Sequence, residues 1–144
     1  MKIYLDNCCF NRPYDDQSQL RIRLETEAKL KIQEDIRSNL YSLIWSYILD
    51  YENNKNLFRE RKEQIEQWHL YSEIDIEENE EVLELASQIR NHGIKKMDSL
   101  HIACAVKAKA DYFLTTDDGV LKKAKLIKNV KITDPIGFIK EVII

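Results

Sequence analysis

The sequence predicts an α/β protein in which helices cover both faces of a mostly parallel sheet. Short apolar runs alternate with longer helical patterns along the chain, the order that builds strand–helix–strand units. The runs KIYL, LYSLIWS and DYFLTT are apolar nearly throughout, as strands buried on both faces are. Acids stand just beyond several of these runs, and open α/β sheets bind ligands at the carboxyl ends of their strands.

The elements follow in order. KIYLDNCCF reads as a strand that breaks at Asp6, and NRPY supplies a proline for a turn or helix start. From about Ser18 to Ser38, Leu20, Leu24, Leu30 and Ile36 recur among charges without Gly or Pro, the pattern of an amphipathic helix. LYSLIWS, residues 40 to 46, suits a buried strand and equally the start of the next helix, because short apolar runs do not separate the two. YILDYENNKNLFRERKEQIEQWHL is polar and helix-favouring, with Leu49, Leu57, Ile65 and Trp68 for an inward face. YSEIDI alternates like a strand, and EENEEVLELASQIRNHG reads as a helix with acids at the positive end of its dipole and Gly93 just past its end. A helix over 97 to 109, the strand DYFLTT, the helix-like GVLKKAKLI, the strand NVKIT and a segment opened by Pro135 complete the chain.

A chain of 144 residues, 44% of them hydrophobic, suits one domain over residues 1–144 with one core. Its 25 acidic and 22 basic residues leave a formal charge of -3, so binding of nucleic acid requires a local basic patch. The start lacks the apolar core and cleavage site of a signal peptide, and no apolar run approaches the ~20 residues of a membrane span. The expectation is a soluble, cytoplasmic protein without membrane contact. Three cysteines, Cys8, Cys9 and Cys104, include no C-x-x-C spacing and argue against a disulfide framework or structural zinc. Cys8 and Cys104 read as small buried hydrophobes. Only three glycines are present, and none forms a phosphate-cradling loop.

The acids carry the chemistry. Asp6 follows the first strand and Asp117 follows YFLTT, so neighbouring strands would bring both to one sheet edge. Asp98 opens the helix leading into the second of these strands, and Glu52 follows LIWS by little more than a helical turn. Each has a plainer reading: Asp98 as a helix-start acid, Asp117 and Asp118 before Gly119 as a turn, Glu52 as a solvated helix acid. Together they would repel and take up protons. A divalent cation removes that problem, and oxygen ligands suit Mg²⁺ or Mn²⁺.

The segments IYLDNCCFNRP, SYILDYE and MDSLHIACAVKAKADYFLTTD, with the apolar strand that follows, resemble the PIN domain in the style of the VapC-like ribonucleases, from residue 3 to about 140. D-x-L-H-I-A followed by a strand ending in T-x-D is the most specific part. The resemblance implies a three-layer α/β/α sandwich and a metal-dependent endoribonuclease in which Asp6, Glu52, Asp98 and Asp117 hold Mg²⁺ or Mn²⁺. It further implies RNA as substrate, an antitoxin protein as partner of the toxin members, and homodimers. Asn7 stands where the family often has Thr or Ser, and Thr115 matches the residue that orients Asp117. Asp50 ranks below Glu52 as the second acid, His101 reads as a packed helix histidine and Asp118 as a turn residue. Arg12, Lys95, Lys96, Lys122 and Lys123 are candidate cations for the RNA backbone. The alternative is a non-catalytic PIN-type module that binds RNA or protein.

Overall fold

The computed structural model describes residues 1–144. Five strands, β1 (Lys2–Leu5), β2 (Ser42–Ser46), β3 (Ser72–Ile76), β4 (Tyr112–Leu114) and β5 (Lys131–Thr133), form one sheet in the order β3-β2-β1-β4-β5. Every neighbouring pair is parallel. The LYSLIWS ambiguity resolves as a strand: β2 pairs Ile3 with Leu43 and Tyr4 with Ile44 on one side, and its side chains from Leu43 to Ser46 are buried.

Eight α-helices connect or follow the strands: α1 (Asn7–Asn11), α2 (Leu20–Arg37), α3 (Tyr47–Asn54), α4 (Arg59–Glu66), α5 (Glu80–Arg90), α6 (Lys96–Lys107), α7 (Asp118–Leu121) and α8 (Pro135–Phe138). Right-handed crossovers place α2 on one face, where α8 packs on it, and α5 with α6 on the other, which makes the predicted α/β/α sandwich. The chain leaves β1 toward β2 and returns to β4 on its other flank. The carboxyl end of β1 is therefore the point where strand order reverses, and a crevice opens there.

Two helical expectations need correction. The polar run after β2 is not one helix but α3, α4 and a 3-10 turn at Gln67–Tyr71. Asparagines divide it: Asn56 accepts from the Phe58 N–H at 3.1 Å and Asn53 donates to the Lys62 carbonyl at 3.0 Å, bonds that compete with helix continuation. Leu57 lies in that break and is 93% exposed, so it has no inward role. In α2 the apolar assignment is largely reversed: Leu20, Leu24 and Leu30 are exposed, whereas Glu25, Lys29, Gln33 and Asp35 are buried with Ile32 and Ile36. Gly93 has the positive φ of 84° expected just past α5, and its N–H closes onto the Arg90 carbonyl.

The buried face of α2 gives a stability prediction. Lys29 is 4% exposed and burial pushes its ammonium down to about 8. Below about pH 8 the group is charged in folded and unfolded chains alike, so the fold bears the whole desolvation cost. That cost fades as pH rises from about 8 toward the ordinary 10.5, where both states are neutral. Lys29→Met is expected to stabilise the protein at pH 7 by about 2–3 kcal/mol, read from urea midpoints, with the gain shrinking as pH approaches 10.5. A gain that does not change with pH would refute the assignment to charge.

Candidate metal and phosphodiester site

Each of the four predicted acids stands at or near the carboxyl edge of the sheet. Asp6 ends β1 and caps α1, accepting from the Asn7 N–H at 2.8 Å, while its own N–H bonds the Leu114 carbonyl of β4. This pins the acid over the β1–β4 seam, and it is only 5% exposed. Asp117 caps α7 by accepting from the Gly119 N–H at 2.7 Å. Thr115 links the two. Its hydroxyl donates to Asp6 Oδ2 at 2.8 Å and accepts from the Asp117 N–H at 3.1 Å.

Ser46 ends β2 and caps α3 by accepting from the Leu49 N–H at 3.3 Å, which starts the helix that carries Glu52. Asp98 lies in the first turn of α6. Three residues later, on the same helix face, His101 is fully buried as predicted for a packed histidine. It is not remote from the acids, however. Its Nε2 contacts Glu52 Oε1 and lies 3.6 Å from Asp6 Oδ1, and its Nδ1 is 2.6 Å from the Tyr4 hydroxyl. The Tyr4 hydroxyl in turn is 2.6 Å from Ser46 Oγ. A chain Ser46–Tyr4–His101–Glu52 thus runs from the end of β2 through β1 and α6 to the carboxylate on α3.

Ligand atoms of Asp6, Glu52 and His101 all lie within 4.8 Å of one another. Asp98 and Asp117 are not in that tight group; they line the adjoining cleft with Lys95, Gly119 and Lys122. Electrostatics joins the two halves. Burial first, and then the negative charges of Asp6, Asp117 and Glu52, push the Asp98 carboxyl up to about 6, with His101 opposing. Burial pushes His101 down, but the charges of Asp6, Glu52 and Asp98 and the bond to Glu52 outweigh it, so its pKa is raised. His101 thus gains a proton more readily than a free imidazole would, and even when protonated it carries one charge against four carboxylates.

The residues fit a hard divalent cation. None of the four carboxylates forms an ion pair with a Lys or Arg, and Asn7 Oδ1 beside Asp6 is buried without a hydrogen-bond partner. Asp6, Glu52 and His101 present ligand atoms close enough together to share one ion, Asp98 and Asp117 stand along the adjoining cleft, and carboxylate oxygens suit Mg²⁺ or Mn²⁺.

Other sequence assignments are redirected. Asp50 accepts from the Trp45 indole at 2.9 Å, so it is occupied elsewhere. Asp118, expected in a turn, is the first residue of α7, and Arg21 Nη2 and Nη1 donate to it at 2.8 and 3.0 Å. Cys104 is buried as expected, but Cys8 is half-buried, with Sγ 3.5 Å from Asp6 Oδ2 and 3.4 Å from the Thr115 hydroxyl. Arg12 is not a free cation, because Glu25 and Asp15 hold it at 2.8 and 3.0 Å. Lys123 donates to the Gly93 carbonyl at 2.6 Å. Lys95, Lys96 and Lys122 make no ion pair. His101 was legible as a site residue from its spacing, since it stands one helical turn after Asp98.

Residues 3–126 match the sequence profile of the PIN domain. No curated protein matches significantly. Among solved structures, a chain of VapBC2 from Rickettsia felis bound to a DNA fragment from their promoter superposes with a TM-score of 0.57 at 17% identity, covering 93% of this chain and 98% of that one. A chain of DNA-bound VapBC from Salmonella typhimurium gives 0.55 at 19% identity, covering 94% and 98%. At these identities the likeness is one of fold. No helix is long and apolar enough to cross a membrane.

Proposed function

From the premise that the chain belongs to the PIN domain family, we propose that it is a metal-dependent endoribonuclease formed by a single domain over residues 1–144. The observation that carries this reading is the gathering of Asp6, Glu52, Asp98 and Asp117 around the carboxyl end of β1, with His101 buried against Asp6 and Glu52; these four carboxylates are the groups we assign to the ion. An Mg²⁺ or Mn²⁺ ion bound there supplies activation of water and stabilisation of the leaving oxygen in phosphodiester hydrolysis. Thr115 holds Asp6 through its hydroxyl and fixes the Asp117 backbone. His101, held by Tyr4, sets the position of the Glu52 carboxylate. Lys95 and Lys122, on the wall shared with Asp98 and Asp117, offset the acidic field for an approaching phosphate.

The likeness to chains of two VapBC complexes supports an antitoxin protein as partner; a homodimer is proposed from the family resemblance alone. The reduced, largely buried cysteines agree with a cytoplasmic setting.

Cleavage of a mixed single-stranded RNA pool, with Mn²⁺, Mg²⁺ or chelator present, tests the reading. Metal-dependent cutting is expected. Absence of both cutting and Mn²⁺ binding would sink it in favour of the non-catalytic RNA- or protein-binding module.

Tyr4→Phe tests the support of Glu52 without touching an acid. The substitution leaves the buried His101 Nδ1 without its partner, and loss of such outer support typically weakens metal binding 10–100-fold. We expect Mn²⁺ affinity, measured by calorimetry, to fall about tenfold. Unchanged affinity would mean that His101 does not orient Glu52.

A further inference from the structure

We propose that the pocket between α3, α5 and α6 is a nucleobase subsite, which takes the base of a nucleotide flanking the cleaved phosphate; the proposal rests on the ribonuclease reading above. The two helices that bring Glu52 and Asp98 to the acid cleft also form two walls of this pocket. One residue along a helix rotates a side chain by about 100°, so Tyr51 beside Glu52 and Met97 beside Asp98 open onto the next face. With Tyr47, Leu83, Arg90 and Lys96 they line a pocket of about 480 Å³, within the ~300–1,000 Å³ of small-ligand sites.

Its chemistry suits a base joined to phosphates. Tyr51 is 48% exposed, and Lys55 Nζ sits 4.2 Å from its ring centroid, which fixes an aromatic platform at the surface. Bases stack on such rings whatever their sequence. The phenolic oxygen of Tyr47 is buried and without a hydrogen-bond partner, although buried hydroxyls normally find one. A base edge would satisfy it.

Charge complementarity selects the occupant. Arg90 and Lys96 make no ion pair, and only Glu78 among the lining residues is acidic. Lys96 follows Lys95, which belongs to the acid cleft with Lys122. Unpaired cations therefore continue from the cleft across Asp98 to the pocket, the track a polyanionic backbone needs. An apolar segment of a second copy would use the concave walls but leave these cations without partners.

The test is binding of hexaribonucleotides that carry 2-aminopurine at one position in turn, in chelator so that nothing is cut, with fluorescence quenching as the sign of stacking. Wild type is expected to quench one position most. Tyr51→Ala should abolish that quenching and weaken binding about tenfold, and Arg90→Ala should weaken binding at every sequence and lower the salt slope by about one. Both residues are on the surface, and unaltered thermal melting would verify the folds. If Tyr51→Ala and Leu83→Asp bind and quench as wild type does, the pocket takes no base, while Mn²⁺-dependent cutting of RNA by wild type would still uphold the nuclease. If Leu83→Asp converts a sedimenting dimer to monomer with RNA affinity unchanged, the face is an interface between copies and the subsite is overturned. If wild type neither binds the hexamers nor cuts RNA, the subsite and the nuclease reading fall together.

Discussion

Asp98→Asn is expected to abolish metal-dependent RNA cleavage, by at least about a thousandfold, and at the same time to stabilise the metal-free protein. The two effects share one cause. Burial and the charges of Asp6, Asp117 and Glu52 raise the Asp98 carboxyl to about 6, so the fold disfavours its ionised form. Below about pH 4 the carboxyl is protonated in both folded and unfolded chains and costs nothing. As pH rises from about 4 to 6 the unfolded chain ionises more easily, and the penalty is fully present above 6. A shift from 3.8 to about 6 corresponds to roughly 3 kcal/mol for a dry group. Asp98 still meets solvent, which reduces the figure to about 1–2 kcal/mol. Asparagine removes the charge with nearly the same shape. Urea unfolding in chelator at pH 7 should therefore show the variant to be more stable, and the difference should close near pH 4. Mn²⁺ should reverse the order, because wild type gains binding energy that the variant lacks. A variant that cuts RNA as wild type does would remove Asp98 from the site. One that loses activity together with stability would make the effect structural.

Arg12→Ala is expected to be the most destabilising single change away from the acids, by about 2–4 kcal/mol. Glu25 is fully buried in α2, and Arg12 Nε and Nη2 donate to its Oε1 at 3.0 and 2.8 Å. Arg21 Nε lies farther away, at 3.5 Å, and the second Glu25 oxygen is buried without a partner. Removal of Arg12 leaves a buried carboxylate with one distant cation, the condition in which breaking a pair costs far more than making it contributes. For a chain of this size the loss corresponds to about 4–16 °C in melting temperature. Arg12→Leu combined with Glu25→Leu should recover most of it, since the desolvation penalty leaves with both charges. A double variant as unstable as Arg12→Ala would show that the pair contributes by geometry rather than by cancelling charge. The same network reaches the site edge, for Arg21 joins Glu25 to Asp118 and donates to the Thr116 carbonyl at 3.2 Å.

The sheet and the acids at its edge were legible in the sequence because both follow local rules. Apolar runs such as KIYL and DYFLTT have few ways to be buried except as central strands, and chain connectivity then sends their following residues, Asp6 and Asp117, to one edge. The helix end at Gly93 was equally local, since it satisfies its own backbone, whereas the start fell at Asn79, inside the acidic run rather than before it. Helix α2 misled because its leucines follow a helical period while its inward face is chosen by ion pairs: Glu25 goes inside since Arg12, thirteen residues earlier, meets it there. Likewise Asp50 and Glu52 are alike in sequence. The family resemblance ranks Glu52 first, and the packed neighbours give the physical reason, the Trp45 indole taking Asp50 and His101 contacting Glu52.

Sequence alone thus determined the strand and helix alternation and the sheet edge at or near which Asp6, Asp98 and Asp117 stand, because these depend on burial pattern and short-range connectivity. Tertiary structure decided that His101 is buried against Asp6 and Glu52, that Tyr4 holds it and Ser46 holds Tyr4, that Arg12 and Lys123 are already engaged, and that Tyr47 and Tyr51 line a pocket between the helices that carry Glu52 and Asp98. Those facts depend on which distant side chains meet in a space of low dielectric, where a partner within 3 to 4 Å outweighs any local preference.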